Sequence, residues 1–233
     1  MNSNFQKSAL ISVYDKHGIE KIAKKLSDLN IRIISTGGTE KYLTELGYEI
    51  KKVENLTDYP SIFGGRVKTL HPKIFGGILS RRENTNDSNE KIEYDIPNID
   101  YVIVDLYPFE NTVNDAKSHE EIIEKIDIGG ISLIRAAAKN FNHVVCLSSI
   151  DQYDEFLDDL DKNKGIFWIE KKKKYAAKAF KISSNYDNFI NQYFEKGSIE
   201  KSNELRYGEN PHQKGSFVGE IDSIFEKLNG KEL

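Results

Sequence analysis

Short apolar runs alternate with helical patterns along most of the chain, and this alternation limits the fold more than any other feature. The runs have the length and composition of buried strands and lie at residues 9–13, 31–34, 50–53, 101–106 and 144–147. Between the first two runs, Ile19, Ile22, Ala23 and Leu26 recur at helical spacing. This order predicts an α/β fold, with a mostly parallel doubly wound sheet covered by helices on both faces.

Polar and glycine-rich segments follow three of the predicted strands. Residues 12–16 follow the first strand, 35–39 the second and 105–107 the fourth. In parallel sheets, ligands bind beyond the carboxyl ends of the strands. We therefore expect one ligand site at that edge. Two stretches carry weaker signals: residues 70–79 are expected to be a loop leading to a short strand, and residues 83–97 an exposed polar loop.

Residues 64–72 read Gly-Gly-Arg-Val-Lys-Thr-Leu-His-Pro and place cations directly after a glycine pair. Together, Arg66, Lys68 and Thr69 offer charge and a hydroxyl beside bare backbone N–H groups, which suits a phosphate monoester. A solvated surface turn is the alternative interpretation of this loop taken alone. Ser-Thr-Gly-Gly-Thr at 35–39 offers hydroxyls and helix N-terminal amides to the same kind of anion, although helix capping would also explain it.

Further strings make the pattern specific. DLYPF stands at 105–109, KIDIGG at 125–130, RAAAKN at 135–140 and LRYGENPHQ at 205–213. With the two segments above, and in this order, they resemble the family of bifunctional purine biosynthesis proteins, which join an IMP cyclohydrolase half to an AICAR transformylase half. The resemblance covers the cyclohydrolase half over about residues 9–194 and only the opening of the transformylase half.

The resemblance also implies a domain arrangement. A methylglyoxal-synthase-like cyclohydrolase domain would occupy residues 1–150, and a helical extension residues 151–196. A polar linker would follow at 197–204, and the truncated start of the transformylase domain at 205–233. Because about 30 residues cannot bury a core of their own, we expect residues from about 202 onward to be loosely ordered or to use contacts from a partner chain.

Four positions match the catalytic residues of the family: Lys68, Tyr107, Asp127 and Lys139. The implied reaction is attack of the carboxamide nitrogen of formyl-AICAR on its formyl carbon, with loss of water to give IMP. Lys139 is expected to do general acid–base work and Lys68 to stabilise the developing negative charge, while Tyr107 and Asp127 orient the carboxamide. Taken singly, each has a structural explanation, such as a helix cap for Asp127 or a helix C-terminal cation for Lys139.

The substrate-binding positions implied by the resemblance lie in the same loops. They are Ser12, Tyr14, Lys16, Thr36, Gly37, Gly38, Thr39, Arg66, Val67, Thr69, Val104, Asp105, Ile128 and Gly129. Arg206 and Tyr207 match the AICAR-binding opening of the transformylase half.

Three positions depart from the family pattern. Asp105 stands where the family commonly has Asn, and an ionised carboxylate cannot donate a hydrogen bond, which puts a base or ribose contact in doubt. Tyr14 replaces a residue that is often Ser, so we expect only its backbone to contribute. Phe75 falls where the family often has His.

The implied cyclohydrolase chemistry needs no metal and no cofactor; 10-formyltetrahydrofolate would be the co-substrate of the transformylase half. The five histidines lack the spacing of a zinc site. A homodimer is implied by the family resemblance. The net charge of −4 argues against general nucleic-acid binding.

The remaining sequence features indicate a cytoplasmic protein. Cys146, the single cysteine, lies in an apolar run, so we expect a buried structural thiol and no internal disulfide. No run approaches membrane-spanning length, and the first residues lack an apolar signal core.

Two other functions would use the same phosphate loop at 35–39. A non-catalytic regulatory module that binds a phosphorylated metabolite has no use for the strings at 64–72 and 125–140. Methylglyoxal synthase would need a catalytic carboxylate near the loop. We favour the cyclohydrolase, and we expect the 233-residue chain to cyclise formyl-AICAR without transferring a formyl group.

Overall fold

The computed structural model describes residues 6–107, 109–115, 118–198, 202–205 and 215–218. The chain divides into two compact units, residues 1–186 and 187–233. Their boundary falls inside the last helix, which runs from Ile169 to Ser198.

Five parallel strands form the sheet of the first unit. They are β1 (Ser8–Ser12), β2 (Arg32–Ser35), β3 (Ile50–Lys52), β4 (Tyr101–Val104) and β5 (Val145–Leu147). Their order is β3-β2-β1-β4-β5, and every neighbouring pair is parallel. The predicted α/β fold with a parallel sheet is confirmed. Because the order reverses between β1 and β4, the loops that follow these two strands diverge and leave room for a ligand.

Ten α-helices lie within the described residues. They are α1 (Ile19–Asp28), α2 (Gly37–Glu45), α3 (Val53–Thr57), α4 (Pro72–Leu79), α5 (Thr85–Glu93), α6 (Phe109–Asp115), α7 (His119–Glu124), α8 (Ile128–Lys139), α9 (Tyr153–Asn163) and α10 (Ile169–Ser198).

Alternate residues of each strand enter two separate cores, one on each face of the sheet. Ala9 and Ile11 of β1 pack with apolar residues of α1 and α9. Leu10, between them, packs on the opposite face with residues of α4 and α8. Helices therefore cover both faces, as the sequence predicted. Cys146 is buried in the second core, which confirms the expected structural thiol.

Helices α4 and α5 correct two sequence predictions. Residues 72–79 form a helix where a loop and strand were expected: Pro72 starts it, and the His71 side chain caps it by accepting the Lys73 N–H at 3.2 Å. Residues 85–93 form a helix where an exposed loop was expected. Its cap is Asn84, whose side chain accepts the Asp87 N–H at 3.1 Å.

The second unit contains the end of α10 and a hairpin. Strands β6 (Ser202–Leu205) and β7 (Gly215–Val218) pair antiparallel, with Ser202 opposite Val218. The expectation that this part of the chain is loosely ordered or uses contacts from a partner chain stays a prediction. Helix α10 and strand β6 also extend into the predicted linker at 197–204, while the other predicted domain limits stay predictions. Arg206 and Tyr207 lie outside the described residues.

Within the part of the chain that the structure describes, no helix is both long and apolar enough to cross a membrane.

Candidate active site

Polar loops meet at the carboxyl edge of the sheet, where the strand order reverses. We call residues 13–17 the β1 loop, residues 105–107 the β4 loop and residues 61–69 the basic loop. The N-termini of α2 and α8 lie at this same edge, because each helix follows a strand or loop that ends there.

The N-terminus of α2 is hydrogen-bonded to the β1 loop, and its first turn has no side-chain cap. The Thr39 hydroxyl accepts the Val13 N–H at 3.1 Å and donates to the Val13 carbonyl at 2.9 Å. The buried Thr36 hydroxyl donates to Glu54 Oε1 at 2.8 Å. Since both hydroxyls bond inward and Thr36 makes no side-chain cap, an anion here would meet the first-turn N–H groups rather than the hydroxyls.

Lys68 of the basic loop lies against the N-terminus of α2. A Cβ atom built on Gly37 would be 3.4 Å from Lys68 Nζ, and one built on Gly65 would be 3.7 Å from it. Both glycines have a positive φ, 58° and 95°. The positive φ favours glycine at both positions, and the distances place the Lys68 ammonium group in van der Waals contact range of both.

Asp127 caps the second helix of the site. Its Oδ1 accepts the Gly130 N–H at 2.6 Å at the start of α8. Burial raises the pKa of this carboxyl group, while the Gly130 N–H and the Lys68 charge oppose the rise. The Asp127 N–H in turn donates to the Tyr186 hydroxyl at 2.7 Å. Asp127 is thus a fixed, partly desolvated carboxylate within the field of Lys68.

Thr69 joins the basic loop to the same helix end. Its hydroxyl oxygen is 3.2 Å from the position of a Cβ built on Gly129, and Thr69 is buried. Lys68 and Thr69 therefore lie between two helix N-termini, those of α2 and α8. Ile128, the first residue of α8, is 58% exposed and so is accessible at the rim.

Asp105 ties the β4 loop to the β1 loop. Its two carboxylate oxygens accept the N–H groups of Tyr14 and Asp15, the latter at 3.0 Å. The Lys16 ammonium donates to the carbonyls of Val13 and Tyr14, to the second at 3.0 Å. Burial lowers the pKa of Lys16 and raises that of Asp105.

Tyr107 and Tyr14 form an aromatic pair at the same edge. Their ring centroids are 4.3 Å apart at an interplanar angle of 61°. Lys125 Nζ lies 4.8 Å from the centroid of the Tyr107 ring, a cation–π geometry. The departures at Tyr14 and Asp105 are thus neighbours, and the Tyr14 side chain itself contributes to the edge, beyond the backbone role we expected.

Lys139 does not reach this edge within one chain. Helix α8 is continuous from Ile128 to Lys139, which corresponds to about 16 Å along its axis, more than a lysine side chain can span. The next residue, Asn140, donates to the carbonyl of Ile78 at 2.6 Å, and the Val145 N–H bonds to Asp100, directly before β4. These contacts place Lys139 at the amino edge of the sheet. The expectation that it lines the same cleft is wrong for a single chain.

Other predicted positions contribute differently than expected. The Val104 side chain is buried in the core, so only its backbone can face a ligand, whereas Ser12, its register neighbour on β1, is half-buried at the end of the strand. The Val67 backbone closes the basic loop by pairing with Ile62. Arg66 is exposed and lies 3.8 Å from Glu124.

Three functional-site residues were missed by the sequence analysis. Lys125 stands inside the quoted string KIDIGG, whereas Glu54 and Tyr186 lie outside every recognised string. Among the residues described, none form a cluster of His, Cys, Asp or Glu that could hold a metal ion.

Two family models match the chain. Residues 18–132 match the MGS-like domain, and residues 137–233 match the AICARFT/IMPCHase bienzyme. Bifunctional purine biosynthesis protein PurH of Bacteroides thetaiotaomicron is 52% identical over 234 residues, covering 97% of this chain and 46% of that protein. PurH of Fusobacterium nucleatum is 44% identical, covering 98% and 48%.

A solved structure also matches. The crystal structure of ForH superposes with a TM-score of 0.72 and 37% identity, covering 82% of this chain and 97% of that chain. The chain spans about half the length of the curated relatives it matches.

Proposed function

The chain belongs to the family of bifunctional purine biosynthesis proteins, and on that premise we propose that it is an IMP cyclohydrolase, closing the purine ring of formyl-AICAR to give IMP and water. The match of residues 137–233 to the AICARFT/IMPCHase model favours this function over methylglyoxal synthase and over a regulatory metabolite-binding module, since neither would need that segment.

One observation carries the proposal: Lys68 and the half-buried Asp127 share the space between two helix N-termini. A phosphate group is held well by uncapped helix amides, and α2 supplies these beside Gly37. The opposed charges of Lys68 and Asp127 would then lie over the reacting end of the nucleotide. An anion site and an acid–base pair are what the cyclisation requires.

The proton balance of the ring closure assigns the roles. The carboxamide nitrogen attacks the formyl carbon and loses one proton, and the formamide nitrogen loses another, while the formyl oxygen leaves as water. We assign the carboxamide proton to Asp127, which lies within the field of Lys68 and whose raised pKa makes it a stronger base than an ordinary aspartate. Lys68 stabilises the oxyanion that forms on the former carbonyl oxygen. Tyr107 orients the carboxamide at the edge of the site.

Lys139 has no part in this single-chain scheme, because α8 separates it from Lys68 and Asp127. The family resemblance still motivates a homodimer, and a second chain is the one route by which Lys139 could enter a cleft. The proposed location of the reaction is the cytoplasm. For the longer proteins of the family we propose the additional formyl transfer from 10-formyltetrahydrofolate to AICAR.

The test is whether the purified 233-residue polypeptide converts formyl-AICAR to IMP. The reaction is monitored by the absorbance change of ring closure, and the product is identified by chromatography. AICAR, which lacks the formyl carbon, is the control substrate and should give no IMP. Absence of IMP formation by a folded sample would overturn the proposal.

A second assay tests whether this polypeptide lacks the formyl-transfer activity. The same polypeptide is given AICAR and 10-formyltetrahydrofolate, and we expect no formyl-AICAR and no IMP. Formation of either product would show that these residues suffice for formyl transfer.

A further inference from the structure

Asp105 uses both of its carboxylate oxygens on the backbone of another loop. Oδ1 accepts the Tyr14 N–H and Oδ2 accepts the Asp15 N–H, so the β1 and β4 loops are joined across the point where the strand order reverses. This is a clamp between the two loops that flank the cleft. It occupies the amides of Tyr14 and Asp15, which are therefore not donors to a bound anion.

Only an ionised carboxylate satisfies this arrangement well. An amide of the same shape has a single acceptor oxygen, and its NH₂ group would face one of the two backbone N–H groups, donor against donor. A protonated carboxyl group has the same defect at one oxygen. The geometry therefore explains why an acid, rather than an amide, fits position 105.

The clamp holds the backbone of Tyr14, the residue whose ring lies beside Tyr107. Tyr14 is 53% exposed, yet its ring is held 4.3 Å from that of Tyr107, centroid to centroid. The backbone of the same residue is what Asp105 holds. We propose that Asp105 is a positioning residue, which locks the β1 loop so that the Tyr14 ring holds Tyr107 in its working orientation; the catalytic part of this inference rests on the proposed function.

Titratable groups of two elements interact with the Asp105 carboxylate. The β1 loop contributes Tyr14, Asp15 and Lys16, and α9 contributes Tyr153. Burial raises the pKa of Asp105 most, and the two N–H groups and Lys16 oppose that rise. The clamp should therefore open as the pH falls through a value above that of an ordinary aspartate.

The experiment compares Asp105→Asn with Asp15→Asn. Both variants remove one negative charge from the same edge. The Asp15 side chain accepts the His17 N–H through Oδ1 at 2.8 Å, a bond that asparagine can keep. We expect Asp105→Asn to lower kcat about tenfold, with KM changed less than about threefold, and Asp15→Asn to stay within about twofold of wild type. Equal kcat values in the two variants would overturn the positioning role.

A second readout needs no activity. Amide hydrogen exchange at Tyr14 and Asp15 should become at least about tenfold faster in Asp105→Asn and stay unchanged in Asp15→Asn. Unchanged exchange in Asp105→Asn would refute the clamp even if the polypeptide cyclises formyl-AICAR. Conversely, faster exchange in a chain without cyclohydrolase activity would support the clamp and reject the proposed function.

If Asp105→Asn fails to fold, the clamp can be tested by an NMR pH titration of the wild-type protein. The NMR signals of the Tyr14 and Asp15 amides should shift with the same midpoint pH as the Asp105 carboxyl carbon. Independent midpoints would overturn the clamp.

Discussion

The two ends of α8 lie at opposite edges of one sheet and are built differently. At its N-terminus, Asp127 lies within the field of Lys68. Gly129 and Gly130 have no Cβ atoms, so the Thr69 hydroxyl and the Asp127 carboxylate pack directly against the start of the helix. At its C-terminus, Asn140 donates to the carbonyls of Ile78 and Ser80 at 2.6 and 3.1 Å, which closes that edge by hydrogen bonds within the protein. A cation such as Lys139 there is favourable for the helix dipole alone. One continuous helix thus has its N-terminus at the candidate site and its C-terminus in hydrogen-bonded contact with the rest of the fold.

The largest effect should come from Lys68→Ala at the open edge. We expect kcat for formyl-AICAR cyclisation to fall about 10² to 10³-fold, because the ammonium group meets charge that develops only in the transition state. IMP affinity, measured by calorimetry, should change by less than about threefold. Lys73→Ala, an equal change of charge on α4, is the control. Equal losses of affinity and turnover would instead make Lys68 a phosphate-binding residue.

Asp127 separates the helix-capping role from the chemical role at the same edge. Asp127→Asn should lower kcat about 10²-fold but leave the free energy of unfolding nearly unchanged, because asparagine caps a helix as well as aspartate. Asp127→Ala should lower kcat similarly and also cost about 1 kcal/mol of stability, measured by urea unfolding. Full activity in Asp127→Asn would contradict the proposed base.

The pH profile gives an independent check on Asp127. The base must be ionised, so turnover should fall with decreasing pH at a value above that of an ordinary aspartate, because burial raises the pKa of Asp127. The Lys68 charge holds that pKa down, and in Lys68→Ala the residual activity should therefore fall at a still higher pH. An acid limb unaffected by Lys68→Ala would assign the titration to another group.

Lys139→Ala tests the closed edge, and its effect should be smaller than that of Lys68→Ala, less than about tenfold in kcat. The reason is its separation from the cleft along α8. A loss of kcat as large as that of Lys68→Ala, with activity recovered when Lys139→Ala and Lys68→Ala subunits are mixed, would contradict this separation of the two helix ends. That outcome would place Lys139 in the cleft of a neighbouring chain.

The smallest effect concerns stability at the closed edge. Burial lowers the pKa of Lys91 to about 8, and the Arg82 charge adds to this. Lys91 therefore loses its proton at a lower pH in the folded state than in the unfolded state. The free energy of unfolding should rise between pH 8 and 10, by on the order of 1 kcal/mol. Lys91→Met should flatten this rise in unfolding midpoints while kcat stays unchanged. An identical pH dependence in Lys91→Met would contradict the assignment.

The sequence predicts the sheet and its ligand edge well because buried strands carry their own signal. The apolar runs at 9–13 and 101–106 contain β1 and β4 almost entirely. Helix α4 was not predicted because Gly76 and Gly77 weaken the helical pattern of the sequence. Yet Gly77 packs so closely that a Cβ there would lie 2.8 Å from the Pro97 carbonyl. Helix α5 is polar and lacks an apolar stripe, so its capping residue Asn84 was the available signal.

The candidate site was predictable as a set of loops, but not as a set of contacts. Glycines and cations at a strand end indicate an anion site from local chemistry alone. The Asp105 clamp depends on the backbone of a loop 90 positions away, and no side-chain pattern records which amides are unpaired. Similarly, the match of the string RAAAKN to the family does not show that α8 separates Lys139 from Asp127 in space.

The hydrogen bond between the Asp127 N–H and the Tyr186 hydroxyl sets a limit for protein engineering. The MGS-like model ends at residue 132, so a shortened enzyme cut at that boundary would keep Asp127 but lose the partner of its backbone. Tyr186 is the last residue of the first compact unit, and it also bonds to the Lys125 carbonyl at 3.5 Å. A shortened form with the proposed activity should therefore include α10 as far as Tyr186, more than 50 residues beyond the end of the match to the MGS-like domain.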